Sequence, residues 1–299
     1  MTLPNPDTDA KWPTLLLICA TTIAWLMCLF VVAAWSQILA IVLLAPLIAL
    51  HGSQQHEVIH GHPFRNRRLN ALLVAPAATL VIPYLRYQAT HLAHHNDARL
   101  TDPYDDPETA YLEPAVFDAL PAWKQKTLLL NNTLSGRIML GPLIGTAFFL
   151  RYDLRALRAG DGQVLRGWLW HIPALAAVLG LVWASPLTIW GYVIAAYLGM
   201  SITKIRTFLE HQAHEHTAAR SVIVEDRGLL ALLFLNNNLH VVHHMHPDVP
   251  WYRLPALYAA NRDRYLRRNR GYRYASYWQV MRAYFWRRKE PVAHPLWPK

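Results

Sequence analysis

The chain has 299 residues, 54% of them hydrophobic and 16% charged, with a formal net charge of +10 at pH 7. Soluble globular proteins carry about a quarter charged residues, so the composition favours a membrane protein whose polar parts are basic, suited to an anionic lipid surface or an acidic partner. Long apolar runs speak against nucleic acid as the partner, and the two cysteines, Cys19 and Cys28, lie within one such run, which excludes a disulfide framework, a CxxC zinc site and an iron–sulfur site.

Residues 1–13 are mostly polar, carry Pro4, Pro6 and Pro13, and read as an unstructured lead-in rather than a cleavable signal peptide. Residues 14–50 hold no charged residue. One span needs about 20 apolar residues, so this run predicts two antiparallel transmembrane helices with a turn at Ala34-Trp35-Ser36-Gln37. The second helix leads into a first histidine cluster, His51 to His62. Residues 69–84 are apolar but short and interrupted by Pro76, which predicts a re-entrant or interfacial segment. A second cluster follows, His91-Leu92-Ala93-His94-His95, and then an acidic loop with Asp102, Asp105, Asp106 and Glu108.

Residues 112–137 look amphipathic or irregular. The short apolar run 138–150, closed by Arg151, Arg155 and Arg158, predicts a helix lying in the interface. Residues 168–200, broken at Ser185-Pro186, predict a second hairpin of spans. Then come His211, His214 and His216, and a third cluster, His240-Val241-Val242-His243-His244. From Arg253 onward the chain is rich in Arg, Trp and Tyr and reads as a soluble or surface-lying helical region. The turns near Ser36 and Ser185 have no Lys or Arg beside them. The positive-inside rule therefore places both termini and all three clusters in the cytoplasm.

Neutral imidazole is the commonest side-chain metal ligand. Residues i, i+3 and i+4 share a helix face, so His56 and His60, then His91, His94 and His95, then His240, His243 and His244 can each point at one locus. His211, after the last span, can add a ninth ligand. One tetrahedral zinc takes about four ligands, so the count implies two metals without naming them. Ligating histidines usually donate their second ring N–H to a neighbour. Glu57, Asp97, Glu210 and Asn237 adjoin the clusters in that role, and His62 and His214 are further supporting candidates.

At these residues the chain resembles the membrane fatty acid desaturase family, which also contains hydroxylases and ketolases. HEVIH, HLAHH and HVVHH match its three histidine boxes in order and spacing over residues 56–244. The first box departs in beginning His-Glu rather than His-Asp. The resemblance implies an all-α integral membrane protein with two helical hairpins, four spans and a cytosolic histidine-rich cap. It implies two irons held by His56, His60, His91, His94, His95, His240, His243 and His244, with His211 as an additional ligand. It also implies oxidation of an unactivated C–H bond in a lipid or fatty acyl substrate, using O2 and two electrons. Desaturation is the leading expectation. Hydroxylation or ketolation is the alternative, and no box residue distinguishes them. No electron-carrier domain is fused within these residues, so an external donor such as a soluble ferredoxin is expected. A zinc-dependent membrane hydrolase or a metal-binding transporter is the reading from another class: iron content and O2-dependent turnover would tell against it, and the few, uncharged spans argue against transport.

The expected organisation is one domain in a bacterial inner membrane. Its parts are a lead-in (1–13), a first hairpin (14–50), the first two boxes with interfacial helices (51–167), a second hairpin (168–203), the third-box region (204–252) and a basic C-terminal region (253–299).

Overall fold

The computed structural model describes residues 11–95 and 98–298, and helices dominate it. Three are long and apolar enough to cross a membrane: Trp12–Trp35, Gln37–Ile59 and Gly162–Ala184, of 24, 23 and 23 residues. At 1.5 Å per residue each reaches about 35 Å, against a hydrocarbon core of about 30 Å. Only 22–39% of each apolar stretch is buried. Leu16, Ile23, Ile38, Val42, Leu169 and Ile172 stand exposed, the inverse of a water-facing helix. Trp35 and Trp183, at the ends of the first and third of these helices, are 89% and 82% exposed. Indole rings favour the boundary between lipid and water.

The turn between the first two helices is a single residue. Ser36 leaves the helical region at φ −154° and ψ 116°, and its hydroxyl accepts from the Leu39 N–H at 3.2 Å, capping Gln37–Ile59. The break expected at Ser185-Pro186 separates Gly162–Ala184 from a 19-residue helix, Ile189–Thr207, capped by the Thr188 hydroxyl on the Gly191 N–H. Lys204 and Arg206 in its last turn make this helix less apolar than the other three. It packs most extensively along Gln37–Ile59. Gly199 makes the approach possible, because a Cβ there would lie 2.9 Å from the Ala45 carbonyl oxygen and 2.8 Å from Ile48 Cγ2. Trp25, Leu29, Leu44, Ile48, Val178, Val182 and Tyr192 form the core among these helices.

After the short helix Arg67–Leu73 the chain runs without regular structure to Pro83. Irregular backbone packed among apolar helices needs internal hydrogen-bond partners. Neighbouring side chains supply them: Gln55 donates to the Val74 carbonyl (3.1 Å), His51 to Pro76 (3.0 Å), Tyr192 to Ala78 (3.0 Å) and His171 to Leu80 (3.0 Å). This anchored loop sets the start of Tyr84–His94, the helix of the second box.

The run 138–150 is not a short helix by itself. It is the middle of a 25-residue helix, Leu134–Arg158, that continues through the charged residues on both sides. Its Asp153, 1% exposed, forms a bidentate pair with Arg86 (2.8–3.2 Å) and accepts from Trp168 Nε1 at 2.9 Å. Three helices are joined at that carboxylate. The C-terminal region folds back as Leu254–Ala260, Arg262–Arg268 and Tyr277–Tyr284. A two-residue parallel pairing of Ile223–Val224 with Arg273–Tyr274 fastens it beside the third box.

Candidate metal centre

The second helix carries His56 and His60 at its C-terminal end, and Tyr84–His94 presents His91, His94 and His95 at its own. His240–Met245 is a helix of only six residues. Leu235 and Asn236 adopt left-handed backbone (φ 51° and 57°), which reverses the chain after Leu229–Leu233 and returns His240 to the other boxes. The adjacent asparagines divide the work: Asn236 donates to the Trp251 carbonyl, Asn238 to the Val224 carbonyl, and Asn237 faces the histidines.

The nine histidines form two groups. His56, His60, His91, His95 and His243 make one; His94, His211, His240 and His244 make the other, and within each group the ligand atoms lie within 4.8 Å of one another. His95 and His244 stack across the boundary with ring centroids 4.3 Å apart.

The convergence is through Nε2. In the first group the Nε2 of His91 is 3.1 Å from that of His60 and 3.0 Å from that of His95, which is 3.2 Å from that of His243. In the second, the Nε2 of His211 is 2.8 Å from that of His94 and 3.0 Å from that of His240, with His244 at 3.1 Å from His240. Nitrogens bound about 2.1 Å from one ion sit about 3.0–3.4 Å apart, so the spacing suits a metal ion in each group.

The outer nitrogens assign the tautomers. His91 Nδ1 donates to Glu108 at 3.0 Å, His94 Nδ1 to Asp106 at 2.8 Å, and His240 Nδ1 to the Asn237 side-chain oxygen at 3.1 Å. Neutral rings that donate there present lone pairs at Nε2. Several lone pairs aimed at one point repel unless a cation lies between them. Ser221 Oγ is 3.2 Å from His211 Nδ1, and Asp106 is itself held by the Thr101 N–H at 2.9 Å.

Burial and then the neighbouring imidazoles hold His60 down at about 2 and push His95, His211, His240 and His243 below the ordinary histidine range. Those rings stay neutral, the form a metal requires. His94 goes the other way. Burial lowers it, but the Glu108 and Asp106 carboxylates outweigh that and raise it to about 9. Burial pushes Glu108 up, yet His94 and His91 bring it well below the usual carboxylate range. A cation held by the second group would have to displace a proton from His94, beside which the two carboxylates supply counter-charge.

The supporting candidates divide. Asn237 reaches both groups, with its Nδ2 3.5 Å from His56 Nε2. Glu210 lies 3.8 Å from His240 Nδ1 and 3.2 Å from Arg206 Nε. Glu57 instead accepts from the Trp251 N–H at 3.1 Å and faces His62 at 3.8 Å; it fixes the chain after the third box rather than a ring of the nine. His62 is 2% exposed, has no hydrogen-bond partner for either ring nitrogen, belongs to neither group, and is brought to about 3 by burial. His214 accepts from the His216 N–H in its own loop and belongs to neither group. Asp97 lies outside the described residues. In the sequence Asp106 and Glu108 stand out only as members of the acidic loop after the second box, with no role toward the histidines, and Ser221 does not stand out.

Apolar helices of membrane length, ending in two all-histidine groups that could each hold a metal ion, define a helical membrane protein of the histidine-cluster type. The chain belongs to the fatty acid desaturase family: the family model, described as "Fatty acid desaturase", matches residues 33–276, which contain all nine histidines. The comparison with curated proteins gave no match.

Proposed function

We propose that the chain oxidises an unactivated C–H bond of a lipid with O2, most directly as a fatty acyl desaturase. His56, His60, His91, His95 and His243 hold one iron ion in this proposal, and His94, His211, His240 and His244 hold a second. The observation that carries it is the meeting of imidazoles from four separate chain segments in two adjoining groups.

When bound, the iron pair supplies O2 activation and hydrogen abstraction. The chain's own residues prepare that chemistry. Glu108, Asp106 and Asn237 hold ring protons at Nδ1 of His91, His94 and His240, which turns each Nε2 inward. His56, His91, His94, His240 and His243 are buried, which limits water around the ring nitrogens that would face the metals. Desaturation removes two hydrogens from adjacent carbons; with two further electrons and two protons from a donor, O2 leaves as two waters. Hydroxylation uses the same electrons and protons, but leaves one oxygen atom in the product and releases one water.

In this account Ile189–Thr207 is a fourth span, completing two hairpins of one membrane domain. The histidine groups lie on the cytoplasmic side of a bacterial inner membrane. The donor is a soluble carrier such as ferredoxin, docking on the exposed arginines of the C-terminal region, among them Arg253, Arg264, Arg267 and Arg270.

The test is mass spectrometry of lipids from cells expressing the chain, with and without O2. O2-dependent loss of two hydrogens supports desaturation. Gain of oxygen moves the assignment to hydroxylation or ketolation. No O2-dependent lipid product, in membranes supplied with reduced ferredoxin, overturns the proposal.

A further inference from the structure

Three cations gather beside the centre without matching counter-charge. Arg206 is 7% exposed, its Nε lies 3.2 Å from Glu210 Oε1, and its Nη1 is buried without a hydrogen-bond partner. Glu210 in turn is 3.8 Å from His240 Nδ1, so one carboxylate separates Arg206 from the second histidine group. Lys204, two residues earlier, lies against Gly141 and Gly145 of Leu134–Arg158. A Cβ on Gly141 would meet Lys204 Cγ at 3.2 Å and Arg137 Cδ at 3.0 Å; one on Gly145 would meet Lys204 Nζ at 3.2 Å. The two glycines thus keep open a slot for the lysine chain, with Arg137 on its rim. Arg137 uses only Nε on a protein acceptor, the Asn131 carbonyl at 3.0 Å. Among the described residues neither Lys204 nor Arg137 forms an ion pair with a carboxylate; Glu210 and Glu108 are the acidic groups near Lys204 and Arg206, and Glu108 is already engaged by His91.

Charges withdrawn from water are unfavourable unless paired. Guanidinium and ammonium groups clustered with too little counter-charge attract an oxyanion, and withdrawal from water strengthens that attraction. We propose that Arg137, Lys204 and Arg206 bind the oxyanion headgroup of an amphiphilic substrate, a carboxylate or a phosphate. Its charged end is then held beside the histidine groups. This rests on the lipid-oxidation proposal and narrows its substrate to lipids with an anionic head; neutral esters bind poorly.

The experiment is calorimetric titration of the full chain in a nonionic detergent with dodecanoate, dodecyl phosphate and methyl dodecanoate. The expected result is that one or both anions bind at least tenfold more tightly than the ester. The tighter anion identifies the headgroup. Lys204→Met and Arg137→Gln should each weaken anion binding tenfold or more and leave the ester unchanged, with Lys204→Arg restoring most of it. A thermal unfolding transition confirms that each variant is folded, and if Lys204→Met is not, Arg137→Gln and Lys204→Arg still decide the matter. Equal binding of ester and anions, or undiminished anion binding in the folded variants, overturns the site. The assay needs neither O2 nor electrons, so its failure is separate from failure of the oxidation chemistry.

Discussion

Asp106 accepts from His94 on one oxygen and from the Thr101 backbone on the other, so one carboxylate both orients a ring and anchors the loop that carries it. Replacing Asp106 by Asn keeps the size but weakens the acceptor that holds the His94 ring proton at Nδ1 and so turns Nε2 toward the other histidines. Metal affinity should fall about 10- to 100-fold, read by competition with a chelator. His243→Ala should abolish turnover while the protein still inserts in membranes, because it removes a donor from the five-histidine group. His62→Ala should retain at least part of the activity, since His62 belongs to neither group; complete loss of metal there would contradict this division. The box spacing was readable in the sequence because i, i+3 and i+4 share a face on any helix. The carboxylates were not, because Asp106 and Glu108 reach His94 and His91 from 12 and 17 residues away through the fold of an irregular loop.

The second-box helix is held from outside by the buried Arg86–Asp153 pair, with Trp168 as a third member. Removing one partner of a buried pair leaves an uncompensated charge and costs about 3–5 kcal/mol. Asp153→Ala should therefore lower the thermal midpoint markedly and reduce metal retention, although Asp153 touches none of the nine histidines. A variant as stable as the parent would show that the pair is dispensable. The apolar helices were visible in the sequence from length and lack of charge. The extent of Leu134–Arg158 was not: hydropathy marked only its apolar middle, whereas backbone hydrogen bonding continues through Arg137 at one end and the arginines at the other. Likewise Arg151, Arg155 and Arg158 read as a basic helix end, which concealed the buried Asp153 among them.

Across the whole molecule, folding places a set of histidines where protons are unwelcome. Above pH 6.5 these rings are neutral in folded and unfolded chains alike. Below it the unfolded chain takes up protons that His60, held at about 2, and His62, held at about 3, do not. Their shifts therefore cost stability increasingly as the pH falls from 6.5 toward 3. His94 opposes them: raised to about 9, it contributes fully below pH 6.5 and loses that contribution as the pH rises through 9. The lowered group outnumbers it, so the thermal midpoint of the metal-free protein should fall between pH 7 and pH 5; a flat profile would contradict the burial of these rings. At the same scale, the basic C-terminal surface predicts that turnover with an acidic ferredoxin slows as salt rises, through a weaker encounter.

The account stands on two groups of imidazoles each holding an iron ion. Elemental analysis of an active, detergent-purified preparation tests this most directly. It should give two iron atoms per chain, falling sharply in His243→Ala and in a variant of His240. Full activity in a preparation without iron, or iron content unaffected by both substitutions, would contradict it.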